Sequence, residues 1–315
     1  MTNFVPVLIP TLNRFDHLKL CVESLCACAY AIDTDLFIAQ DYPSKDNHWT
    51  GYRKIEQYIK NINGFKSVTI IRRTINFGAV KNLFEAIYEI FDKYDRLILS
   101  EDDNIFSYDF LKFVNLGLCT YNNRTDIFSI NGYNYPITLP KTYQRDIYAW
   151  VGFSAWGCGI WKHKWAKIDF TTNVALKNVH GFLANFDNAL NINKLASNYI
   201  PGLLNMLKSK EVHGDVYISM YQQINNMYSI FPTVSRVRNM GYDGSGVNCK
   251  MLEYDIYKNQ MLYSGSDSYE LPEDIKPTKE INRILKSHWK SSIKFQAKIA
   301  IKIILNNFGL HDITK

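Results

Sequence analysis

The chain has 315 residues and a mass of 36.6 kDa, with 47% hydrophobic and 21% charged side chains; this supports a packed core and excludes wholesale disorder. Its formal charge of +6 is unevenly placed: residues 276–315 hold nine basic and two acidic side chains, whereas residues 1–275 hold 27 and 28. A neutral body with a basic tail argues against a nucleic-acid binder.

Residues 4–10 read as a short apolar strand. No basic leader or cleavage site accompanies it, and no run approaches the ~20 apolar residues of a spanning helix, so the expected location is the cytoplasm. Residues 15–29 have helical spacing (Leu18, Cys21, Val22, Leu25), 36–40 read as a strand, 52–62 as a helix and 67–72 as a β-branched strand. Residues 76–91 form an amphipathic helix (Val80, Leu83, Phe84, Ile87, Ile90), followed by buried strands at 96–100 and 127–130. This alternation predicts an α/β fold with a mostly parallel sheet flanked by helices, and ligands at the carboxyl ends of its strands.

Beyond residue 132 the pattern loosens. Residues 143–165 are aromatic and contain glycines; 176–208 and 216–227 read as helices, 229–236 as a strand and 239–248 as a Gly-rich loop. Residues 264–277, with two prolines, are the expected linker. Lys286, Lys290, Lys294, Lys298 and Lys302 then recur every four residues, opposite Leu285, Trp289, Ile293, Ala300, Ile303 and Ile304. Such a helix suits an anionic membrane surface, or equally docks on the domain with its lysines in water. The six cysteines show no CxxC pair and read as reduced thiols.

The sharpest chemical feature is Glu101-Asp102-Asp103, directly after a buried strand. Three adjacent carboxylates at a strand end suit a hard divalent cation, Mg2+ or Mn2+; a solvated acidic turn ahead of the helix near Ser107 is the alternative. Asp41, which closes the second strand, can accept a hydrogen bond from a base or ribose, or begin a turn with Pro43. Arg72, Arg73 and Asn76-Phe77-Gly78 stand before a helix N-terminus, a setting that suits phosphate. Trp150, Trp156, Trp161 and Trp165 lie among Gly152, Gly157 and Gly159, where faces for sugar rings compete with plain core packing.

Pro10-Thr11-Leu12-Asn13-Arg14, Gln40-Asp41, Asn76-Phe77-Gly78 with Asn82, and Ser100-Glu101-Asp102-Asp103 follow the order of landmarks in GT-A-fold glycosyltransferases. The chain resembles family-2-like bacterial sugar transferases. More distantly it resembles the Golgi N-acetylglucosaminyltransferase that initiates complex N-glycans, which has a Glu-Asp-Asp form of the Asp-x-Asp motif. Phe153-Ser154-Ala155-Trp156-Gly157 and the run from Arg238 to Gly246 resemble further elements of the bacterial group, so the resemblance covers about residues 5–250.

The resemblance implies a Rossmann-like GT-A domain over residues 1–263, divided into a nucleotide-binding half to about 131 and an acceptor half from 132. Residues 264–315 would be a linker and a basic helical segment. Thr11 and Asp41 would hold the nucleoside, Arg72, Asn76 and Arg238 would flank the diphosphate, and Glu101 and Asp102 would approach the ribose or sugar. Asp103 would bind Mn2+ or Mg2+ bridging the phosphates. Arg236 could share the phosphate role with Arg238, or each could form a surface salt bridge. Trp156 and Gly157 would touch the acceptor or donor sugar. Asp215 aligns with the family's catalytic acidic residue and would take the acceptor's proton, although it also suits a helix N-cap. Asn248 stands where related sequences often carry a metal-binding His, which leaves the third protein ligand open.

The expected activity is therefore inverting, metal-dependent glycosyl transfer. It would run from a nucleotide sugar, preferably a UDP-sugar, to a glycan or lipid-linked glycan, by a cytoplasmic enzyme peripheral to the membrane. A sugar-phosphate nucleotidyltransferase is the enzymatic rival, although Pro10–Arg14 lacks its Gly-rich loop. A binding protein without catalysis is the other rival.

Overall fold

The strand sequences VLIPT, DLFIAQ and RLIL are almost continuously apolar, as strands covered on both faces must be. In the computed structural model, which describes residues 4–246, 251, 253–265, 268–289 and 291–307, they form the middle of an eight-stranded sheet. The first half of the chain runs β1 (Val7–Thr11), α1 (Phe15–Cys26), β2 (Asp35–Gln40), α2 (Trp49–Tyr58), β3 (Ser67–Arg72), α3 (Ala79–Phe91), β4 (Arg96–Leu99), β5 (Asn104–Phe106), α4 (Phe110–Thr120) and β6 (Ile127–Asn131). There follow β7 (Ile147–Trp150), β8 (Cys158–Trp161), α5 (Lys162–Trp165), α6 (Thr172–Ala184), α7 (Phe186–Leu195), α8 (Tyr199–Ser209), α9 (Gly214–Ile224), β9 (Tyr228–Pro232), β10 (Val237–Asn239), α10 (Lys279–His288) and α11 (Ile293–Asn307).

The sheet order is β3-β2-β1-β4-β8-β6-β9-β7. Pairs β3/β2, β2/β1, β1/β4 and β6/β9 are parallel, while β8 and β7 run against their neighbours. The fold is thus mixed α/β with a mostly parallel sheet between helices. A separate antiparallel ribbon pairs β10 with β5.

Strands β7 and β8 fall inside the aromatic segment that carries no strand signature in the sequence. The glycines there mark close packing: a Cβ on Gly159 would lie 2.6 Å from Val114 Cγ1 and 2.7 Å from Leu118 Cδ1, so α4 sits tightly on β8. Helix α3 starts at Ala79 rather than Asn76, because Gly78 caps it with φ at +78°.

The segment after residue 263 is laid on the domain. The Tyr269 hydroxyl donates to Asp109 Oδ2 at 2.7 Å, Tyr121 donates to the Pro272 carbonyl at 3.0 Å, and Ile275 is buried. Thr278 caps α10 by accepting the Ile281 amide at 3.2 Å, and Ile281 and Leu285 are wholly buried. Ile299 and Ile303 of α11 join the same core, against α6 and α7. Leu285 and Ile303 of the predicted apolar face are thus held in the core with Trp289 packed beside them, Ala300 is exposed, and Lys286, Lys294 and Lys298 face solvent. Docking with a solvated lysine face is the arrangement adopted. Leu285→Ala is expected to cost about 2–5 kcal/mol, the range for a fully buried leucine. Urea unfolding checks this, and a loss inside the surface range of about 0.5 kcal/mol would mean the segment is not docked.

Candidate functional site

At the carboxyl ends of β1 and β4 the acidic run meets an arginine. Asp102 accepts the Thr11 hydroxyl at Oδ2 (2.8 Å) and the Arg14 guanidinium at Oδ1. Asp103 accepts Asn239 Nδ2 at Oδ1 (2.7 Å), and Arg14 Nη1 lies 2.8 Å from its Oδ2. Both aspartates are 4% exposed. Burial opposes the Arg14 charge, but Asp102 and Asp103 outweigh it and hold the guanidinium firmly protonated.

The β5–β10 ribbon brings the glycine loop over this pair. The Met240 amide donates to the Asp103 carbonyl (2.8 Å), and the Gly241 amide donates to Asn239 Oδ1 (2.9 Å). A Cβ at Gly241 would overlap the Asp103 carboxylate, so only glycine permits this approach. On the far side His17 Nε2 lies 3.2 Å from Asp243 Oδ2, tying the loop to α1.

This arrangement alters the expectation for Asp103 as the ligand of Mn2+ or Mg2+. All four oxygens of Asp102 and Asp103 accept from protein donors, and the cation between them is Arg14. Among the described residues no group of three or more His, Cys, Asp or Glu is placed to hold a metal. The residues present do not fit a divalent ion as they stand. Asn248 lies outside the described residues.

Glu101 points elsewhere. With Asp215, the second residue of α9, it lines a cavity of about 170 Å³ walled by aromatic rings. Burial, then Asp103, Asp215 and Asp102, push the Glu101 carboxyl up to about 8. Asp215 stays reachable by solvent, yet the protein around it raises its pKa by desolvation, offset in part by its own amide and His213. The N-cap of α9 is His213, so the capping role foreseen for Asp215 is not used. Trp156 stands at this cavity, edge-on to Tyr133 (4.8 Å) and Tyr257 (5.5 Å). Gly157 serves the backbone: its φ is +69°, a Cβ would lie 2.7 Å from Val237 Cγ2, and its carbonyl accepts the Gly132 amide at 2.7 Å.

The remaining foreseen residues lie apart from the cavity lining. Asp41 accepts the amides of Tyr42, Phe77 and Gly78 (2.8–2.9 Å) and Asn76 Nδ2 (3.2 Å), which pins β2 to the start of α3. Asn76 also donates to the Tyr42 carbonyl at 2.5 Å. Arg72 is exposed at the end of β3, 3.9 Å from Glu56, and Arg238 Nε donates to the Gln260 carbonyl at 2.8 Å. Arg236 is buried at 1% exposure, paired with Asp109 at 2.8 Å and sandwiched by Phe113 and Tyr263. It is neither a phosphate clamp nor a surface ion pair.

Sequence reasoning placed Arg14 and Asn239 in landmark runs and Trp289 on the apolar face of the tail, but gave none of the three a part in the site. A signal for Arg14 existed, because three carboxylates at a buried strand end require a nearby cation and Arg14 follows the adjacent strand.

Neither a protein-family model nor a curated protein matches the chain. Parts of the chain are similar to solved GT-A-type glycosyltransferases. A mannosyltransferase of Pyrobaculum calidifontis, in complex with GDP-Man and Mn2+, is 11% identical over 51% of this chain and 45% of its own, with a TM-score of 0.35. TarS 1–349 of S. aureus is 14% identical over 50% and 46%, with a TM-score of 0.35. GalNAc-T7 with UDP, GalNAc and Mn2+ is 13% identical over 78% and 46%, with a TM-score of 0.44. The chain spans less than half the length of each.

Arg14→Ala leaves Asp102 and Asp103 without their cation and is expected to destabilise the fold by about 3–5 kcal/mol, the cost of breaking a buried pair. Mn2+ alone should then raise the melting temperature of the variant but not that of the parent. Equal responses would show that Arg14 is not the counterion of this pair.

Proposed function

We propose that this chain transfers a sugar from a nucleoside-diphosphate sugar, preferentially a UDP-sugar, to a hydroxyl of a glycan or lipid-linked glycan, with inversion at the anomeric carbon. One observation carries the reading. Asp215, with its pKa raised, shares an aromatic-walled cavity with Glu101 at the carboxyl end of β4, where an α/β sheet places its ligand. The ordered sequence landmarks from Thr11 to Gly246 support it.

In this reading Asp215 accepts the proton of the acceptor hydroxyl as that oxygen bonds to the anomeric carbon. The bond from carbon to diphosphate breaks, and the electron pair leaves with the nucleotide. The other carboxyl in the cavity, Glu101, is pushed up to about 8 and in this reading stays protonated rather than acting as a nucleophile, so a single displacement inverts the centre. A base whose pKa is raised toward the working pH holds the proton more strongly than an ordinary aspartate. No step is assigned to a metal.

The rival of a binding protein without catalysis has its own support. Arg14 is already shared between two carboxylates, which leaves little positive charge for a departing diphosphate. A change at Asp215 separates the two readings.

Asp215→Asn is expected to lower transfer and donor hydrolysis by about 10²–10⁴-fold, the range for loss of a general base, with UDP binding retained. Desolvation by the surrounding protein favours the neutral form of Asp215 in the fold, so this group's contribution to stability is greatest at low pH and falls as pH rises through its raised pKa. The variant should therefore be no less stable than the parent at neutral pH. In the parent, activity should fall as pH drops through that raised value, giving an acidic limb above the ordinary 3.8. Unchanged turnover in the variant would remove Asp215 from the mechanism; binding of UDP-sugars with no turnover in the parent would favour the binding protein.

A further inference from the structure

The cavity has two aromatic walls, joined where Tyr133 meets Tyr135 edge-on at 5.4 Å. Tyr133, Trp156, Tyr242 and Tyr257 form the wall beside the glycine loop that covers Asp103. Tyr135, Trp150, Tyr199 and Trp289 form the other, against the helices. There Trp150 stacks near Tyr199 (5.9 Å, 24°), and Tyr135 stands edge-on to both Trp150 (5.6 Å) and Trp289 (5.5 Å). Asp215 lines the cavity together with Tyr135 and Tyr199 of the second wall and with Glu101 of the acidic run, so it borders both.

We infer that the second wall is the subsite for the acceptor's pyranose ring, and that the C-terminal segment completes it by supplying Trp289. The inference rests on the transferase reading for its direction, with the nucleotide at the strand end and the acceptor beyond Asp215. The site itself stands on separate observations. Trp150 Nε1, Trp289 Nε1 and Asn198 Oδ1 are buried without hydrogen-bond partners, as is the Tyr133 hydroxyl on the first wall, and all four residues line this cavity. Two indole donors, an amide acceptor and a hydroxyl left open among ring faces match a molecule with apolar faces and a hydroxylated edge, which is the character of a pyranose. A purely apolar ligand would leave these groups unsatisfied.

Trp289 is delivered by a fixed element. It directly follows α10, whose Ile281 and Leu285 are buried in the core; its amide donates to the Leu285 carbonyl at 3.1 Å, and Ser197 donates to its own carbonyl. The C-terminal segment thus forms part of a binding wall, a role separate from that of its exposed lysines.

The test uses the full-length chain and saturation-transfer NMR with a panel of methyl α- and β-hexopyranosides, alongside UDP. The parent should bind at least one glycoside. Trp289→Ala should weaken that binding by about tenfold, equivalent to about 1.4 kcal/mol, while UDP binding changes less than about twofold. Trp289→Phe should recover much of the glycoside binding, which separates ring contact from disruption of α10; melting temperatures check that each variant is folded. Joint replacement of Lys294 and Lys298 by Gln should leave glycoside binding unchanged. Glycoside binding that is unaffected by Trp289→Ala, or no glycoside bound by the parent, overturns the inference. Absence of UDP and UDP-sugar binding with glycoside binding intact would instead sink the transferase reading and leave the sugar subsite standing.

Discussion

The structure turns on a charge problem at the end of β4. Two aspartates are buried side by side, and burying like charges is tolerable only with a cation and a full set of hydrogen bonds. Arg14 supplies the cation, and Thr11 and Asn239 supply the remaining donors. These partners come from residues 11–14 and from β10, so one cluster joins three distant parts of the chain, residues 11–14, 102–103 and 239. The glycine loop follows, since the Met240 amide donates to Asp103 and Gly241 leaves room for its carboxylate. With Asp102 and Asp103 satisfied in this way, Glu101 is the carboxyl of the acidic run that reaches the cavity.

Much of the first half was legible because parallel strands covered on both faces leave a strong apolar signal between amphipathic helices. β1 to β4 and α1 to α3 lie close to where the residues 4–100 place them, and the end of α3 matches at Phe91. The second half hid β7 and β8. They are four residues each, run against the sheet and sit among glycines, so a close-packed strand and a loop have the same appearance in sequence. The tail was legible as amphipathic but not as to what covers it, because periodicity identifies an apolar face without naming its partner.

The site was legible in its acids and obscure in their partners. Glu101 and Asp215, more than a hundred residues apart, do line one cavity, with Trp156 beside them. Asp41 stands at the expected strand end, but its carboxylate closes the turn into α3 with four hydrogen bonds. Arg236 shows the opposite effect: a charged residue near a flexible loop invites a surface role, yet it is buried between aromatic rings with Asp109. Sequence spacing conveys which residues stand at strand ends. It does not convey where each side chain finds its hydrogen bonds, since those partners are set by long-range packing.

The aromatic content takes on a different meaning once burial is known. Trp161 and Trp165 are core residues 1–2% exposed, and α5 with its neighbours closes over them. Trp150 is equally buried but borders the cavity; its indole nitrogen, like those of Trp161 and Trp165, lacks a partner within the protein. Each buried, unpaired indole N–H carries a desolvation cost of about 1–3 kcal/mol, and the core bears that cost at Trp161 and Trp165 as well. The arrangement becomes favourable when an external hydroxyl fills the missing bond. What sets Trp150 apart is its place in the cavity wall, and the two carboxyl groups that share this cavity define the chemistry a ligand there would meet.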